Sequence, residues 1–346
     1  MAAQIKIGLD IGLALIKVVV LSTKDTPRRL LSLGQIASPQ PGIISDSDLD
    51  LESVANAIKN LMTEIKAPEK QVIVALPESK IFTRVIYDLP FLTNEELAQA
   101  IKYAAEEFVP MPITQVNLNY QVIFRSKEKG PKSRTVVFVV ASPKNMVNKY
   151  LKVLSMADLK PIAIETELIA SARALVGSNP FSPTTLIVQF GATTTDFAVV
   201  SEGLILLTRS ISTGAVALTR AIAQAFNFEL IQAEEYKKVY GILEDQLEGK
   251  LFQVLKPIVD VILSETRRVI QAHETQNPQR AVKRVVLTGG GAKLPGLVVY
   301  LANSLGLEVQ EADPWEGLSK DPALKNKLVA DAPVYSVAVG LALRED

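Results

Sequence analysis

Cysteine is absent from the chain. That excludes disulfides, thiolate metal sites and a cysteine nucleophile, and it fits a reducing compartment. A single histidine, His273, leaves no cluster for zinc and no set for a Ser-His-Asp arrangement. Net charge is lacking as well. Lys plus Arg number 37 and Asp plus Glu number 37, so no overall field draws in nucleic acid or an anionic bilayer. The run Lys283-Arg284 is too short for nucleic-acid recognition, and no aromatic residues interleave with it. Apolar runs such as residues 11–16 and 136–141 fall far short of the roughly 20 residues that span a membrane. Asp10 and Lys17 interrupt the apolar N-terminal stretch, which therefore does not read as a signal peptide. No Walker sequence G-x-x-x-x-G-K-[ST] occurs, and no G-x-G-x-x-G follows the first strand. A P-loop enzyme and a dinucleotide dehydrogenase are thereby disfavoured. The expectation is a cytoplasmic protein that reaches a membrane only through a partner.

What is present is an ordinary globular composition, 48% apolar and 21% charged over 346 residues, enough for about two domains at roughly 150 residues each. Its most informative feature is an internal echo. With Gly12 set over Gly191, GLDIGLALIKVVVLS (8–22) lies over IVQFGATTTDFAVVS (187–201). Each copy is an apolar strand, a glycine turn and a second apolar strand, which reads as a β-hairpin. A local unit that recurs in both halves points to two related lobes with a ligand between them.

Each echo continues into α/β material. After the first come a strand-like run (30–36), a helix capped by Asp48 or Asp50 with Leu51, Val54, Ile58, Leu61, Met62 and Ile65 at helical spacing, and a buried-type strand (71–77). After the second come a strand (204–209) and a helix (215–226) opened by Thr213-Gly214. Helices are expected over 230–276 with breaks near Gly241 and Gly249, and a last apolar helix over 334–343. Between the halves, residues 84–160 form a different module. Thr93-Asn-Glu-Glu96 has capping-box spacing at the head of a helix to Phe108, stopped by Pro110 and Pro112. Two strands (116–124 and 134–141) and a second helix (143–156) complete an α+β insertion, either a structural elaboration or a docking surface. The expected organisation is a first lobe (1–83), the insertion (84–160), a return with an interlobe helix (161–184), a second lobe (185–333) with a helical subdomain near 226–280, and a C-terminal helix returning to the first lobe (334–346).

Three glycine turns stand out: Gly12, Gly191 and Gly289–Gly291. Backbone N–H groups that converge where no Cβ intrudes bind phosphate readily. Here the chain resembles the actin/Hsp70/sugar kinase superfamily, whose phosphate 1, phosphate 2 and adenosine motifs these turns match. Within it the chain resembles the PilM family, cytoplasmic actin-like proteins of type IV pilus assembly related to the division protein FtsA. The landmarks are Tyr103-Ala-Ala-Glu-Glu-Phe-Val-Pro-Met-Pro112, Gln232-Ala-Glu-Glu-Tyr-Lys-Lys-Val-Tyr-Gly241, Asp313-Pro-Trp-Glu316 and Val339-Gly-Leu-Ala-Leu-Arg344.

The resemblance implies an actin-like ATPase fold and these roles. Asp10 would stand near the water of a bound Mg2+, with Gly12 against the phosphates and Lys17 neutralising their charge. Gly191, Thr194 and Thr195 would meet the terminal phosphates, with Gly214 close by. Glu234 and Lys237 would flank ribose and adenine, and Gly289, Gly290, Gly291 and Lys293 would form the adenosine turn. The implied cofactors are ATP and Mg2+. The implied partners are the N-terminal cytoplasmic tail of the inner-membrane protein PilN and other components of the assembly platform. The tail would lie in a groove between the first lobe and the insertion, lined by Leu97, Ile101, Tyr103 and Ala104. Those four also fit the insertion's own core face.

Two departures weigh against turnover more than against binding. Leu13, Ala14 and Leu15 stand where small hydroxyl residues are usual, and Gln189 stands where an aspartate is usual. Plainer readings also attach to several residues. Lys17 and Asp196 read as exposed strand residues, and Glu234 with Lys237 as a surface ion pair. Glu165 and Glu167 suit a helix's first turn, His273 a solvated helix end and Trp315 a packing anchor. A sugar or acid kinase of the same fold would need a carboxylate base, which no motif marks. An FtsA-like filament protein is the other alternative, with the insertion mediating self-association; the chain's ending without an amphipathic membrane helix disfavours it.

Overall fold

The computed structural model describes residues 5–127, 130, 133–177, 182–322 and 325–345. The first echo folds as the hairpin β1 (Ile5–Ile11) and β2 (Leu15–Ser22), extended by β3 (Leu30–Ala37). With β4 (Gln71–Leu76) and β8 (Lys160–Thr166) it makes a five-stranded sheet in the order β3-β2-β1-β4-β8. The second echo folds as β9 (Thr185–Phe190) and β10 (Thr195–Ser201), followed by β11 (Leu204–Ile211). β12 (Arg284–Thr288) and β13 (Glu308–Glu311) complete the order β11-β10-β9-β12-β13. Both lobes therefore follow one scheme: an antiparallel meander of three strands, then two parallel strands added beside the first. Parallel strands require covered faces, and the central strands are buried along nearly their whole length.

The helices supply that cover. α1 (Asp48–Glu64) presents Leu51, Val54, Ile58, Leu61 and Met62 to one face of the first sheet. α4 (Glu167–Leu175) and α10 (Ser336–Ala342) cover the other. In the second lobe, α5 (Ala215–Phe226), α6 (Leu230–Tyr240), α7 (Lys250–Gln276) and α8 (Leu297–Leu305) enclose a core around Phe190, Phe197, Leu218 and Leu255. A short helix, α9 (Lys325–Ala330), precedes the return of α10.

α10 comes unusually close to its neighbours. A Cβ on Gly8 would lie 2.1 Å from the Ala338 carbonyl oxygen, and one on Gly340 would lie 1.8 Å from that of Ala170. The two glycines let backbone meet backbone. A buried clasp reinforces the contact: Glu165 receives Arg173 at 2.6 and 2.8 Å and Arg344 at 2.6 Å, and Arg173 also donates to the Gly340 carbonyl.

The insertion consists of β5 (Phe82–Leu89), α2 (Asn94–Glu106), β6 (Val116–Arg125) and β7 (Thr135–Pro143), with strand order β5-β7-β6. The capping box forms: Glu96 N–H donates to the Thr93 hydroxyl at 3.3 Å, and Thr93 N–H to the Glu96 carboxylate at 2.8 Å. One expectation needs correction. The helix expected to complete the insertion, α3 (Lys144–Met156), buries Tyr150, Val153 and Leu154 in the first lobe's core beside α1. By its packing α3 shares the core beneath α1. Amphipathic spacing shows that a helix has an apolar face but not which core receives it.

The insertion's sheet has two apolar faces. Val137 and Val139 meet Leu97 and Ile101 of α2. Val85, Phe138 and Val140 on the other face pack with Leu168 and Ala172 of α4 and with Ile187, Ala198 and Ile205 of the second lobe. The module is joined by sequence to the first lobe and rests against the second. No helix among the described residues is long and apolar enough to cross a membrane.

Candidate functional site

The two hairpins bring their carboxylates near one another, since Asp10 of the first and Asp196 of the second both act on Glu167. In the first, Asp10 and Lys17 are cross-strand partners, and their side chains form an ion pair at 2.6 Å. Asp10 is only 3% exposed, so Lys17 is its compensating charge and not an exposed strand residue. The turn closes through Gly12 N–H to the Leu15 carbonyl, and a Cβ on Gly12 would lie 2.8 Å from that oxygen. The Leu13 and Ala14 carbonyls are held by the Gln40 amide at 2.8 Å and by Ser38 N–H at 2.9 Å. With those carbonyls engaged on one side, the turn's identity rests on its backbone and not on its apolar side chains.

In the second hairpin Gln189 and Asp196 occupy the corresponding cross-strand positions. The turn closes through Gly191 N–H to the Thr194 carbonyl at 2.9 Å, and it sits on the N-terminus of α5, where Ala215 and Val216 donate to the Gly191 and Ala192 carbonyls. Gly214 makes that contact possible, since a Cβ there would lie 2.5 Å from the Ala192 backbone. Thr195 differs from expectation. It is fully buried and its hydroxyl donates to the Thr213 carbonyl at 2.6 Å. Thr195 and Gly214 therefore seat the turn on the N-terminus of α5. Thr194 is half-buried, and its hydroxyl donates to Asp196 at 3.1 Å.

Carboxylates dominate the electrostatics. Glu167, the first residue of α4, accepts a hydrogen bond from the Gln189 amide at 2.8 Å, while the amide's oxygen accepts one from Ser171 at 2.8 Å. Burial pushes the Glu167 carboxyl well above its ordinary range, helped by the charges of Asp10 and Asp196 and opposed by Lys17. Glu78, just past β4, is pushed up to about 8 by burial and then by Asp196. Asp196 is pushed up to about 6 by burial, against the hydrogen bonds from Ser210 and Thr194. Lys17 is the one cation in direct contact with any of the four among the described residues. Sequence reading saw Glu167 as a first-turn residue and passed over Glu78, which carries no motif. The clasp with Arg173 and Arg344 makes Glu165 structural.

These residues can be tested against Mg2+ and ATP. Among the described residues no three His, Cys, Asp or Glu side chains gather closely enough to hold a metal by themselves. Mg2+ commonly takes one or two carboxylates and completes its shell with phosphate oxygens and water. A site with several carboxylates and one lysine suits a triphosphate that arrives as its magnesium complex, with the Asp10 carboxylate beside Lys17 at 2.6 Å. The donor set fits on those terms.

The third glycine turn is closely packed on one side and open on the other. Gly289, with φ of 82°, donates to the Pro333 carbonyl at 2.9 Å, beside the Thr288 hydroxyl, which donates to the same oxygen at 2.8 Å. Gly291 lies under the Phe190 ring, 2.4 Å from where a Cβ would be, whereas a Cβ on Gly290 would enter open space. Lys293 pairs with Asp331 at 2.7 Å. Lys237 is buried and donates to Glu234 at 2.6 Å, to Thr219 at 2.8 Å and to the Ala215 carbonyl at 3.3 Å. Burial pushes Glu234 up, but hydrogen bonds from Lys237 and Thr219 outweigh it and hold the carboxyl below its ordinary range. This pair is a built network rather than a surface ion pair.

Of the four groove residues expected, Leu97 and Ile101 are fully buried under the insertion's sheet and form its core rather than a free surface. Tyr103 is 72% exposed and Ala104 half-buried. His273 corrects another expectation. It is buried, with its Nε2 2.7 Å from the Arg280 carbonyl, and burial lowers its pKa. Trp315 is the packing anchor expected, buried against Tyr335 with its indole N–H donating to the Leu328 carbonyl.

Comparison with known proteins identifies the family and the fold. The family profile described as "Type IV pilus assembly protein PilM" matches residues 8–346. A solved structure described as a PilM-PilN type IV pilus biogenesis complex superposes with a TM-score of 0.85 at 27% identity, covering 99% of each chain. The cell division protein FtsA of Neisseria meningitidis is 22% identical over 96% of this chain and 88% of its own length. MreB 5 of Spiroplasma citri, bound to AMPPNP, shares the fold with a TM-score of 0.55 at 15% identity, covering 98% of this chain and 95% of its own. The chain belongs to the family of type IV pilus assembly protein PilM and has its actin-like fold.

Proposed function

We propose that this member of the PilM family binds ATP as its magnesium complex between the two lobes and holds the N-terminal cytoplasmic tail of PilN in a groove between the first lobe and the insertion. The observation that carries the nucleotide half is the pair of hairpin turns, each with a glycine whose N–H closes the turn and each placing a carboxylate that acts on Glu167. Backbone N–H groups around Gly12 and Gly191 would hold phosphates. Asp10 would hold Mg2+, whose chemistry here is charge neutralisation between phosphate oxygens. Gly290 leaves the open space that adenosine would enter. Tyr103 and Ala104 remain as lining residues of the tail groove, and the PilM-PilN complex supports a PilN partner. The protein would thus be a nucleotide-binding scaffold at the inner face of the cytoplasmic membrane, placed there by its partner.

The proposal is binding rather than efficient turnover. Burial disfavours the charged form of the Glu167 carboxyl, and Gln189 supplies an amide where a second charge would help. The test is calorimetric titration with Mg-ATP, with ATP in EDTA, and with a synthetic peptide of the PilN tail from the same organism. Saturable micromolar binding of Mg-ATP that is lost in EDTA supports the reading. Its absence in a folded sample refutes the nucleotide half, and absence of peptide binding refutes the tail half.

A further inference from the structure

Two buried carboxylates beside the second hairpin lack a cation. Asp196 is 2% exposed, and its partners are the hydroxyls of Thr194, at 3.1 Å, and Ser210. Glu78, in the turn after β4, is 4% exposed. The Thr83 hydroxyl donates to its Oε1 at 3.4 Å, while its Oε2 is buried with no hydrogen-bond partner. The Thr166 hydroxyl and the Leu168 N–H at the head of α4 favour the charged form of this carboxyl but do not close a hydrogen bond on Oε2. Buried charge is ordinarily paired with opposite charge or bound to metal. Neither carboxylate is paired with a lysine or arginine among the described residues.

The two belong to one oxygen-lined site. Asp196 of β10 faces Ser210 of β11 across the ladder, and Ala198 faces Thr208. Strand alternation therefore puts Thr208 and Ser210 on the face of Asp196. The Thr208 hydroxyl shares a hydrogen bond with Thr83 of β5, which in turn reaches Glu78. A course of oxygens thus runs from Glu78 through Thr83, Thr208 and Ser210 to Asp196, and Glu78 lies close enough to feel the charge of Asp196. Oxygen ligands suit hard cations. A divalent ion is a poor match, because magnesium dehydrates reluctantly and calcium takes many oxygens, whereas no three acidic side chains among the described residues gather closely enough to hold a metal. A singly charged ion needs less compensating charge, and neutral oxygens can replace the water around it.

We propose that Glu78 and Asp196 hold an alkali-metal cation, with the hydroxyls of Thr83, Thr194, Thr208 and Ser210 lining the site. The ion ties the turn after β4 to the second hairpin and supplies the charge that the two carboxylates lack. It is distinct from the magnesium ascribed above to Asp10, and the inference does not depend on nucleotide binding.

The test is the melting temperature of the full chain without nucleotide, at mildly alkaline pH, in the chlorides of potassium, sodium and N-methylglucamine at equal ionic strength. The bulky organic cation supplies the same screening but cannot enter the site. Potassium or sodium should raise the melting temperature by about 2–4 °C over it. Glu78→Gln and Asp196→Asn keep the size of the side chains, and each should melt within about 1 °C in all three salts. In the organic salt Glu78→Gln should melt no lower than the wild type, since it removes an uncompensated charge. A merely structural carboxylate would instead lower melting in every salt alike. Thallium(I), a heavy substitute for potassium, should give an anomalous-scattering peak against Glu78 Oε2 and Asp196 in a crystal. Equal melting of the wild type in the three salts, an alkali effect that persists in either variant, or a thallium peak elsewhere overturns the proposal. Greater stabilisation by magnesium chloride at equal ionic strength, abolished by the same substitutions, overturns the choice of a singly charged ion.

Discussion

Asp10 and Lys17 face each other across the first hairpin at 2.6 Å, and the same two positions of the second hairpin carry Gln189 and Asp196. The duplicated scaffold is thus preserved while its charges are rearranged: one lobe neutralises its carboxylate internally, and the other leaves Asp196 with only hydroxyl partners, Thr194 and Ser210.

Removing the lysine should therefore be costly. Lys17→Met leaves a buried carboxylate unpaired, and breaking such a pair costs on the order of 3 kcal/mol. Urea denaturation at neutral pH reads the loss of stability. Because extra negative charge also repels phosphate, calorimetry should show Mg-ATP affinity falling as well; retention of both quantities would show that Lys17 is dispensable.

Stability should decline as pH rises through neutrality. Glu78 has an ordinary value of 4.5 and stands at about 8 when folded. Asp196 has an ordinary value of 3.8 and stands at about 6. The folded state thus holds more protons than the unfolded one over these windows, and the contribution is complete below the ordinary values and lost as pH passes the folded ones. His273 acts in the opposite sense, since its lowered pKa withdraws stability as pH falls below about 6.5. Denaturation midpoints should decrease from pH 6.5 to 8.5, and Glu78→Gln should flatten that slope. An equally steep slope in the variant would remove Glu78 as its source.

Two adjacent glycines should behave differently. Gly290→Val points into open space, so stability should stay within about 0.5 kcal/mol while Mg-ATP affinity falls at least about tenfold. Gly291→Ala drives a methyl into the Phe190 ring and should cost about 1–3 kcal/mol by overpacking. Equal effects on stability would contradict the assignment of Gly290 to the ligand side.

The insertion helix separates in the same way. Leu97→Ala empties a fully buried site and should cost about 2–5 kcal/mol. Tyr103→Ala, at an exposed site, should leave the melting curve in place. If Tyr103 lines the groove, tail-peptide affinity should fall at least about tenfold, and an unchanged affinity would move the groove elsewhere.

The lobes were legible because the signal is local. A glycine turn between two β-branched runs specifies a hairpin within about 15 residues, and the repeat at Gly12 and Gly191 showed that two such units exist. The backbone part of the candidate site came with it. Hidden from sequence was which surfaces meet. Lys144–Met156 has the same amphipathic pattern whether it serves the insertion or the first lobe, and only the position of α1 decides. Thr195 looked like a ligand hydroxyl because it follows the glycine turn closely, but its side chain turns inward to the Thr213 carbonyl. His273 looked solvated among polar neighbours, yet its partner is a carbonyl presented by the loop that follows the helix. Glu78 had no signature, since a lone acid after a proline acquires meaning only from a hairpin more than a hundred residues away.

The close passage of α10 over Gly8 bears on how the protein is made. β1 is made long before α10, so the part of the first sheet's face that α10 covers stays bare until α10 has been made. In the meantime the nascent chain carries that apolar surface bare, and a sheet closed by a contact so distant in sequence folds late and is exposed to aggregation. A nascent first lobe should therefore depend on chaperone protection until Arg344 emerges and closes on Glu165.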